Sequence, residues 1–307
     1  MPNPLLMAVS RSTRTRRLIT AAPVTRRVVD RFVAGEQVDD ALAATRRLVG
    51  EGLHVSLDHL GEDTRTTAQA DAITAAYRTV LGRLGDTGLA DRAEVSLKLS
   101  ALGQLLPDGD RIALEAARVV CAAAAAVGTT VSVDMEDSST VDATLTAVAA
   151  LRADFPWVGA VLQSCLRRTE ADCRDLSGPG SRIRLVKGAY AEPASVAFTD
   201  KAEVDAAYAR CLQVLVAGQG YPMVATHDPA LITRTEELVA QTGRAASSYE
   251  FQMLYGIRVP EQHRLAASGR TMRIYVPYGD DWYGYFMRRL AERPANVAFF
   301  LRSFVSR

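Results

Sequence analysis

Two adjacent arginines near the end of the chain have the residue type and the spacing to bind an anion. A helix over the stretch YGYFMRRLAERPAN would present four side chains on one face, because they stand at positions i, i+3, i+4 and i+7: Tyr285, Arg288, Arg289 and Glu292. An arginine and a glutamate at i, i+4 are also common on solvated helices, where the pair contributes only about 0.2–0.5 kcal/mol. The doublet therefore indicates an anion site only if other groups converge on that face.

Polar residues suited to catalysis also close eight short apolar runs of the chain. The runs are LHVSLDH, EVSLKLS, TVSVDME, WVGAVLQS, RIRLVKG, YPMVATH, YEFQML and RIYVPYG. The polar residues at or near their ends are Asp58, His59, Lys98, Asp134, Glu136, Gln163, Lys187, Thr226, His227, Gln252, Tyr275 and Tyr278. Taken singly, Asp134 and His227 are typical of helix caps. Taken together, charged groups that face a partly dry cavity are costly unless they are paired or bind a ligand, so the set favours a binding site.

Three chemistries could use this set, and the residue types alone leave all three open. A Schiff-base aldolase would use Lys98 or Lys187 as a desolvated nucleophile. A metal hydrolase would gather Asp134, Glu136 and His227 around a divalent ion. A flavin enzyme would use donors for the isoalloxazine ring and cations for the phosphates. The metal site is the weakest of the three, because only one histidine closes a run late in the chain, and we expect no metal.

The elements that must position these residues alternate between strands and helices. The eight runs have the length and the β-branched content of strands, and several of the Ala-, Leu- and Arg-rich stretches between them begin at Asp or Thr and end at Gly, as helices do. This alternation predicts an α/β fold, a distorted (β/α)8 barrel with functional groups at the carboxyl ends of its strands and apolar strand interiors. A doubly wound open sheet is the alternative, but no GxGxxG follows the first strand.

The chain divides into an N-terminal helical arm, residues 1–50, and the barrel, residues 51–307, which ends in a helix over the barrel mouth. The arm is basic and shows helical spacing of apolar residues in TRRVVDRFV and VDDALAATRRLVGEG. Its apolar run PLLMAV precedes the basic RSTRTRR, which is the reverse of the order in a signal peptide. We therefore expect no export, and any membrane contact would be peripheral, with the arm as its candidate.

The composition excludes several classes of protein. Of the 307 residues, 48% are hydrophobic and 23% charged, as in a soluble globular chain, and the net charge of +1 argues against a nucleic-acid surface. The four cysteines form no CxxC pair and predict neither a zinc module nor a disulfide framework. These features favour a cytoplasmic protein with reduced thiols.

Several motifs, in order along the chain, resemble those of the proline dehydrogenase family. They are SLKLSALG, SVDMEDSS, RIRLVKGAY, ATHD, YEFQMLYG and RIYVPYG followed by YGYFMRRLAERPAN, and they extend from the second strand to the last helix. The family consists of flavin-dependent barrels of proline catabolism. The resemblance implies that Arg288 and Arg289 bind the substrate carboxylate, with Lys98 as a third cation. Glu292 would then orient Arg288.

The resemblance also assigns the remaining polar residues to the substrate and to FAD. Asp134 would balance the cations and hold Arg289 or Tyr275. The wall around the pyrrolidine ring would consist of Tyr190, Leu254, Tyr275 and Tyr285. The flavin ring would lie near Gln163 and Arg184, with Ala189 as the small residue that permits close approach. Contacts to the ribityl chain, the diphosphate and the adenosine of FAD would come from Lys187, Thr226 and His227.

The implied reaction is the oxidation of L-proline to 1-pyrroline-5-carboxylate, with hydride transfer from proline C5 to flavin N5. A quinone would take the electrons, and a separate 1-pyrroline-5-carboxylate dehydrogenase would take the product, because the chain resembles the monofunctional members. Two rivals remain: a relative that oxidises hydroxyproline or another cyclic amino acid, and a barrel that binds a ligand without redox chemistry or acts as a Schiff-base lyase. Tyr275 disfavours hydroxyproline, since a 4-hydroxyl would need the space of the phenol.

Overall fold

Eight parallel strands close into a barrel in the order of the sequence. A computed structural model describes the backbone of residues 29–292 and the side chains of residues 29–287. The sheet closes where β8 pairs with β1, for example at Val55↔Ile274 and Leu57↔Val276. The strands are β1 (His54–His59), β2 (Ala93–Leu97), β3 (Val131–Val133), β4 (Gly159–Gln163), β5 (Arg182–Val186), β6 (Tyr221–Ala225), β7 (Glu250–Leu254) and β8 (Met272–Tyr278). The predicted eight-stranded barrel is confirmed, and the open-sheet alternative is wrong.

Helices alternate with the strands around the outside of the barrel. In the described part of the chain they are α1 (Val38–Gly50), α2 (Thr67–Asp86), α3 (Gly109–Ala126), α4 (Val141–Asp154), α5 (Thr169–Asp175), α6 (Lys201–Ala217), α7 (Pro229–Thr242), α8 (Val259–Ala267) and α9 (Trp282–Glu292). A short 3-10 turn, Ala246–Ser248, precedes β7. Local signals explain several ends: the Thr66 hydroxyl accepts the Gln69 amide at the start of α2, and Gly243 follows α7 with φ 65°.

The strand side chains that face the helices are apolar and buried. Val55 and Leu57 of β1 and Val95 of β2 belong with Tyr77 and Leu81 of α2 to one hydrophobic core. Successive residues of a strand point to opposite faces, so these apolar residues alternate with polar ones that face the inside of the barrel. The period of two in the sequence is therefore the signature of a barrel wall with one apolar face.

Charged side chains face the inside of the barrel, and here the expectation of apolar strand interiors is wrong. Glu94 of β2 pairs with Arg182 of β5 at 2.7 Å and lies 3.8 Å from Arg273 of β8. Glu250 of β7 accepts two hydrogen bonds from Arg273, at 2.7 and 3.1 Å. Buried charges are tolerated here because each carboxylate meets a guanidinium at hydrogen-bond distance.

The helix before the first strand shares the core of the barrel. Ala41, Leu42 and Leu48 of α1 are buried in the same hydrophobic core as β1 and α2. Residues 1–28, which include the basic stretch of the predicted arm, lie outside the described residues. The division at residue 50 therefore stays a prediction.

The first turns of α9 lie at the carboxyl face of the barrel in a second apolar cluster. Phe286 is fully buried there, with its ring centroid 6.3 Å from that of Phe32 and 6.0 Å from that of Trp282. Leu60, which follows β1, and Ile257, which follows β7, belong to the same cluster. This packing fixes the helix that bears the arginine doublet next to the ends of β1, β7 and β8. Within residues 29–292, no helix is long and apolar enough to cross a membrane.

Candidate active site

Four polar side chains from four strands meet at the carboxyl end of the barrel. Lys98, directly after β2, donates from Nζ to Asp58 Oδ2 of β1 at 2.9 Å and to the Tyr275 hydroxyl of β8 at 3.4 Å. The Tyr275 hydroxyl in turn donates to Oδ2 of Asp134, which directly follows β3, at 2.7 Å. Lys98 Nζ lies 3.7 Å from the same oxygen. The structure thus brings together Lys98, Asp134 and Tyr275 and adds Asp58 to them.

Arg184 of β5 connects this group to the charged interior of the barrel. Its Nη1 donates to Asp134 Oδ1 at 2.7 Å and to Ser96 Oγ at 2.8 Å, and its Nη2 lies 3.4 Å from Glu94 Oε1. The guanidinium carbon lies 5.4 Å from the centroid of the Tyr275 ring. Arg184 is only 3% exposed. The site therefore contains a cation of fixed position and permanent charge.

Burial and pairing set the charge states of this cluster. Burial alone would lower the pKa of Lys98, but the carboxylates of Asp58 and Asp134 outweigh it and hold that pKa above its ordinary value. Burial raises the pKa of the Asp58 carboxyl, with Asp134 reinforcing the effect and Lys98 opposing it. Burial also raises the pKa of Tyr275, so its hydroxyl keeps the proton that it donates. A lysine must be neutral to attack a carbonyl, so the charge of Lys98 disfavours the aldolase and the lyase.

Gln163 and Glu136 form a second polar group at the ends of β4 and β3. Gln163 Nε2 donates to the Glu136 carbonyl oxygen at 2.7 Å. The Glu136 carboxylate accepts the amide and the hydroxyl of Ser100, at 3.1 and 2.5 Å, and thereby holds the loop after β2. Ala189 lies exposed after Gly188, where φ is 110° and an added Cβ would approach Cys165 Sγ to 2.3 Å.

Lys187, directly after β5, is held by two carboxylates. Its Nζ donates to Asp205 Oδ1 of α6 at 2.5 Å and to Asp228 Oδ2 at 2.9 Å. Lys201 also hydrogen-bonds to Asp205, and its Nζ lies 4.0 Å from Asp228 Oδ2. The predicted cofactor contact is therefore part of an ion-pair group in the structure, and its role toward a cofactor stays a prediction.

Thr226 and His227 follow β6, next to this group. The Thr226 hydroxyl accepts the Asp228 amide at 3.1 Å. His227 Nε2 accepts the Leu254 amide of β7 at 3.0 Å, and its carbonyl oxygen accepts Arg258 Nη1 at 2.7 Å. Because Nε2 is an acceptor, the neutral ring has its proton on Nδ1. A hydrogen bond therefore joins a predicted cofactor residue, His227, to a predicted wall residue, Leu254.

The predicted wall residues lie on elements at the same face of the barrel. Leu254 pairs with Tyr275 between β7 and β8, and it packs against the apolar cluster that contains Tyr285. Tyr285 is 7% exposed. Tyr190 is half-buried in the loop after β5. Three of the four residues thus come together through strand pairing and packing.

The predicted carboxylate clamp lies at the edge of the described structure. The backbone of α9 is described to Glu292, but the described side chains end at Met287. The side chains of Arg288, Arg289 and Glu292 therefore lie outside the described residues. Their roles stay predictions.

Sequence reasoning missed the residues that hold the site from the inside of the barrel. Asp58 closes the first run, yet the sequence assigns it no role, and the structure makes it the nearest partner of Lys98. Glu94 lies within its strand and is absent from the predicted site. A signal existed in the sequence: Glu94, Ser96 and Lys98 alternate with apolar residues, which places all three on one face of β2.

Comparison with known proteins identifies relatives over most of the chain. A family model described as "Proline dehydrogenase" matches residues 41–302. "Proline dehydrogenase 1" of Bacillus subtilis is 39% identical over 277 residues, which cover 90% of each chain. "Proline dehydrogenase" of Deinococcus radiodurans is 42% identical over 276 residues, which cover 89% of this chain and 88% of that protein.

Solved structures of larger proteins share the fold. Proline utilization A from Bdellovibrio bacteriovorus, inactivated by N-propargylglycine, superimposes with a TM-score of 0.78 at 25% identity and covers 86% of this chain. A mutant of proline utilization A from Bradyrhizobium japonicum superimposes with a TM-score of 0.74 at 24% identity, which supports the fold alone. The chain spans 32% of the length of each of these proteins.

Proposed function

The chain belongs to the proline dehydrogenase family, and on that basis we propose that it oxidises L-proline to 1-pyrroline-5-carboxylate with FAD as cofactor. The observation that carries the proposal is the cluster at the barrel mouth, where a fixed ammonium and a fixed guanidinium stand beside an aromatic ring: Lys98, Arg184 and Tyr275. Cations suit the carboxylate of an amino acid, and apolar ring faces suit the methylenes of pyrrolidine.

The donors at the barrel mouth fit a flavin. Arg184 Nε is buried and has no hydrogen-bond partner among residues 29–287, so a donor with permanent charge remains for a ligand. Such a donor suits the flavin ring, on which negative charge increases during reduction. The other residues that we assign to FAD are Gln163, Lys187, Ala189, Thr226 and His227.

Three cations hold the substrate carboxylate in this proposal. Arg288 and Arg289 provide guanidinium groups, which match a carboxylate bidentately and stay charged at any working pH. Glu292 orients Arg288. Lys98 provides an ammonium whose position is fixed by Asp58 at 2.9 Å. Removing any one of the three cations should therefore weaken substrate binding.

Fixed side chains around the pyrrolidine ring provide most of the catalysis by positioning the substrate. Asp134 accepts the Tyr275 hydroxyl at 2.7 Å and so fixes the phenol ring. Tyr190, Leu254 and Tyr285 complete an apolar wall that excludes water. The bound cofactor supplies flavin N5 as the acceptor for the hydride on proline C5.

The amine of proline must be neutral for its lone pair to assist the loss of hydride. Both carboxylates of the cluster are already occupied, Asp58 by Lys98 and Asp134 by Tyr275 and Arg184. We therefore assign the amine proton to solvent, before or during binding.

We place the reaction in the cytoplasm, with a quinone as electron acceptor. A peripheral contact of the basic N-terminal stretch with a membrane would bring the enzyme to the quinone. The product would pass to a separate 1-pyrroline-5-carboxylate dehydrogenase.

The visible spectrum of the purified protein tests the cofactor and the substrate together. We expect a flavin spectrum that anaerobic L-proline bleaches and D-proline does not, because the clamp and the wall present only one C5 hydrogen of the L isomer to the flavin. A protein that stays colourless after addition of FAD would contradict the proposal and favour a barrel without redox chemistry.

Substitution of one clamp arginine tests the carboxylate site. We expect Arg289→Met to raise the KM for L-proline about 10- to 150-fold, as the loss of a charge-assisted hydrogen bond of about 1.5–3 kcal/mol implies, while FAD stays bound. Arg264→Met, on the exposed surface of α8, is the matched control and should leave KM unchanged. Unchanged kinetics in Arg289→Met would refute the clamp.

A further inference from the structure

A group of two lysines and two aspartates lies where β5 and β6 end. Lys187 is at its centre, with Nζ 2.5 Å from Asp205 Oδ1 and 2.9 Å from Asp228 Oδ2. Lys201 is 76% exposed and pairs with Asp205 from the outside. Two positive and two negative charges cancel, so the group as a whole is neutral.

Both carboxylates of the group are ionised at neutral pH. Burial alone would raise the pKa of Asp228, but the hydrogen bond and the charge of Lys187 outweigh it, and the pKa lies below its ordinary value. The same balance, with Lys187 and Lys201 as partners, lowers the pKa of Asp205. Lys187 therefore stands between two fixed negative charges.

Asp228 also occupies the start of α7. Its Oδ1 accepts the Ala230 amide at 3.1 Å, and its own amide donates to the Thr226 hydroxyl at 3.1 Å. The amino end of a helix otherwise favours a phosphate, because its amides and its dipole are positive. Here a carboxylate of the chain already takes that place. The charges of both Lys187 and the start of α7 are therefore already balanced when an anion arrives.

We propose that Asp228 weakens the binding of the FAD diphosphate, so that this one carboxylate limits the affinity of the protein for its cofactor. The inference rests on the proposed function, which assigns Lys187, Thr226 and His227 to the cofactor. A diphosphate at this corner is repelled by Asp228 and competes with it for the ammonium of Lys187. Asp228 is thus a residue that sets cofactor affinity through charge.

Asp228→Asn removes the negative charge and, with it, the hydrogen bond that Lys187 donates to Oδ2. Asparagine caps a helix about as well as aspartate, so the start of α7 is kept, and Lys187 retains Asp205. Asp108→Asn is the matched control, because Asp108 precedes α3, is exposed and pairs with Arg111 instead. Both variants lose one carboxylate directly before the first residue of a helix. Only in Asp228→Asn does that carboxylate also lie beside Lys187.

The experiment measures dissociation constants of three flavins with the full-length chain after its flavin has been removed. FAD and FMN bear phosphate groups and riboflavin does not, so the three ligands separate the effect of phosphate charge from that of the ring. We expect Asp228→Asn to lower the Kd of FAD and FMN about tenfold, since the negative charge beside Lys187 is removed. The Kd of riboflavin should not change, and Asp108→Asn should bind all three flavins like the unsubstituted chain.

The outcomes separate this inference from the proposed function. If the unsubstituted chain binds FAD and Asp228→Asn binds it equally or more weakly, the inference is wrong and the proposed function stands. If the unsubstituted chain binds no flavin, the proposed function itself fails. If circular dichroism shows that Asp228→Asn does not fold, Asp228→Ser removes the same charge and keeps a capping oxygen, and an unchanged Kd of FAD in that variant would also overturn the inference.

Discussion

At the mouth of the barrel the ammonium of Lys98 lies between two carboxylates. Asp58 is 2.9 Å away and Asp134 is 3.7 Å away, and the Tyr275 hydroxyl bridges Lys98 and Asp134. A lysine on a flexible stem would otherwise sample many positions, so these partners convert it into a fixed cation. In the proposed function, Asp58 therefore acts on the substrate site through Lys98.

A double-mutant cycle on Lys98 and Asp58 tests this dependence. We expect Lys98→Met and Asp58→Asn each to lower the free energy of unfolding by about 3 kcal/mol, because Lys98→Met leaves the buried Asp58 carboxyl without its cation and Asp58→Asn removes the nearest carboxylate of Lys98. The free energy of unfolding of the double variant should fall by less than the sum of the two single losses, with a difference of at least about 1 kcal/mol, since the two side chains are in contact. Urea unfolding at pH 7 measures all three values.

The exposed pair of Arg83 and Asp39 is the control for that cycle. Its atoms are as close, 2.7 Å, but the side chains are 44% and 77% exposed. The coupling energy of Arg83→Met and Asp39→Asn should therefore stay below about 1 kcal/mol. Additive losses at Lys98 and Asp58 would show that Asp58 does not hold the lysine.

Among the elements, α9 joins the apolar packing at the carboxyl face to the predicted substrate clamp. Phe286 is fully buried between Phe32 and Trp282. The arginine doublet begins two residues after Phe286 in the sequence. Packing of the first turns of the helix should therefore decide where the clamp stands.

Truncation of Phe286 tests this role of α9. We expect Phe286→Ala to loosen the helix, because the loss of a buried phenylalanine side chain typically costs about 3–5 kcal/mol. Hydrogen exchange of the α9 amides should become faster while the barrel strands keep their protection. The KM for L-proline should rise more than kcat falls, since in the proposed function the clamp holds the substrate.

The control for Phe286→Ala is Leu105→Ala, which truncates a side chain that is 58% exposed. It should change neither the hydrogen exchange of α9 nor the KM. If Phe286→Ala lost protection from hydrogen exchange equally in α9 and in the barrel strands, the helix would not loosen separately from the barrel, and the prediction would be wrong.

The whole molecule depends on charges enclosed by the barrel, and these make its stability sensitive to acid. Burial lowers the pKa of His54 on β1 from 6.5 to about 4, and Arg273 reinforces this effect. The unfolded chain therefore binds a proton on His54 at a higher pH than the folded chain does. The neutral His54 therefore contributes its full share of the free energy of unfolding above pH 6.5. This contribution is lost as the pH falls from 6.5 to about 4.

The dependence of unfolding on pH tests this contribution. We expect the free energy of unfolding to fall between pH 6.5 and pH 4 and to fall less in His54→Gln, since glutamine does not titrate. Urea unfolding at several pH values provides the curves, and identical slopes for His54→Gln and the unsubstituted chain would contradict the prediction.

Below pH 4.5, protonation of the enclosed glutamates lowers the free energy of unfolding further. Burial alone would raise the pKa of Glu94, but Arg273, Arg182 and Arg184 outweigh it, so the pKa lies below the ordinary 4.5. A carboxylate with a lowered pKa stabilises the fold above 4.5 and loses that effect as acid protonates it. Acid therefore weakens the barrel in two successive ranges of pH.

The sequence by itself determined the architecture and the family of this protein. Eight runs with period two, separated by helices with their own caps, allow few folds other than a closed parallel barrel, because each run needs a parallel neighbour and a helix to cover its apolar face. The ordered motifs from SLKLSALG to YGYFMRRLAERPAN indicated the family. These features are local, so they can be read along the chain.

Only the tertiary structure decided which polar residues meet. Lys98 and Tyr275 are 177 positions apart, and Lys98 and Asp58 are 40 apart, so no local pattern pairs them. The alternation in EVSLK shows two faces of a strand, but the sequence does not say that Glu94 would share the barrel interior with Arg182 and Arg273. Closure of the barrel makes these contacts, because it brings the inner faces of all eight strands to one axis.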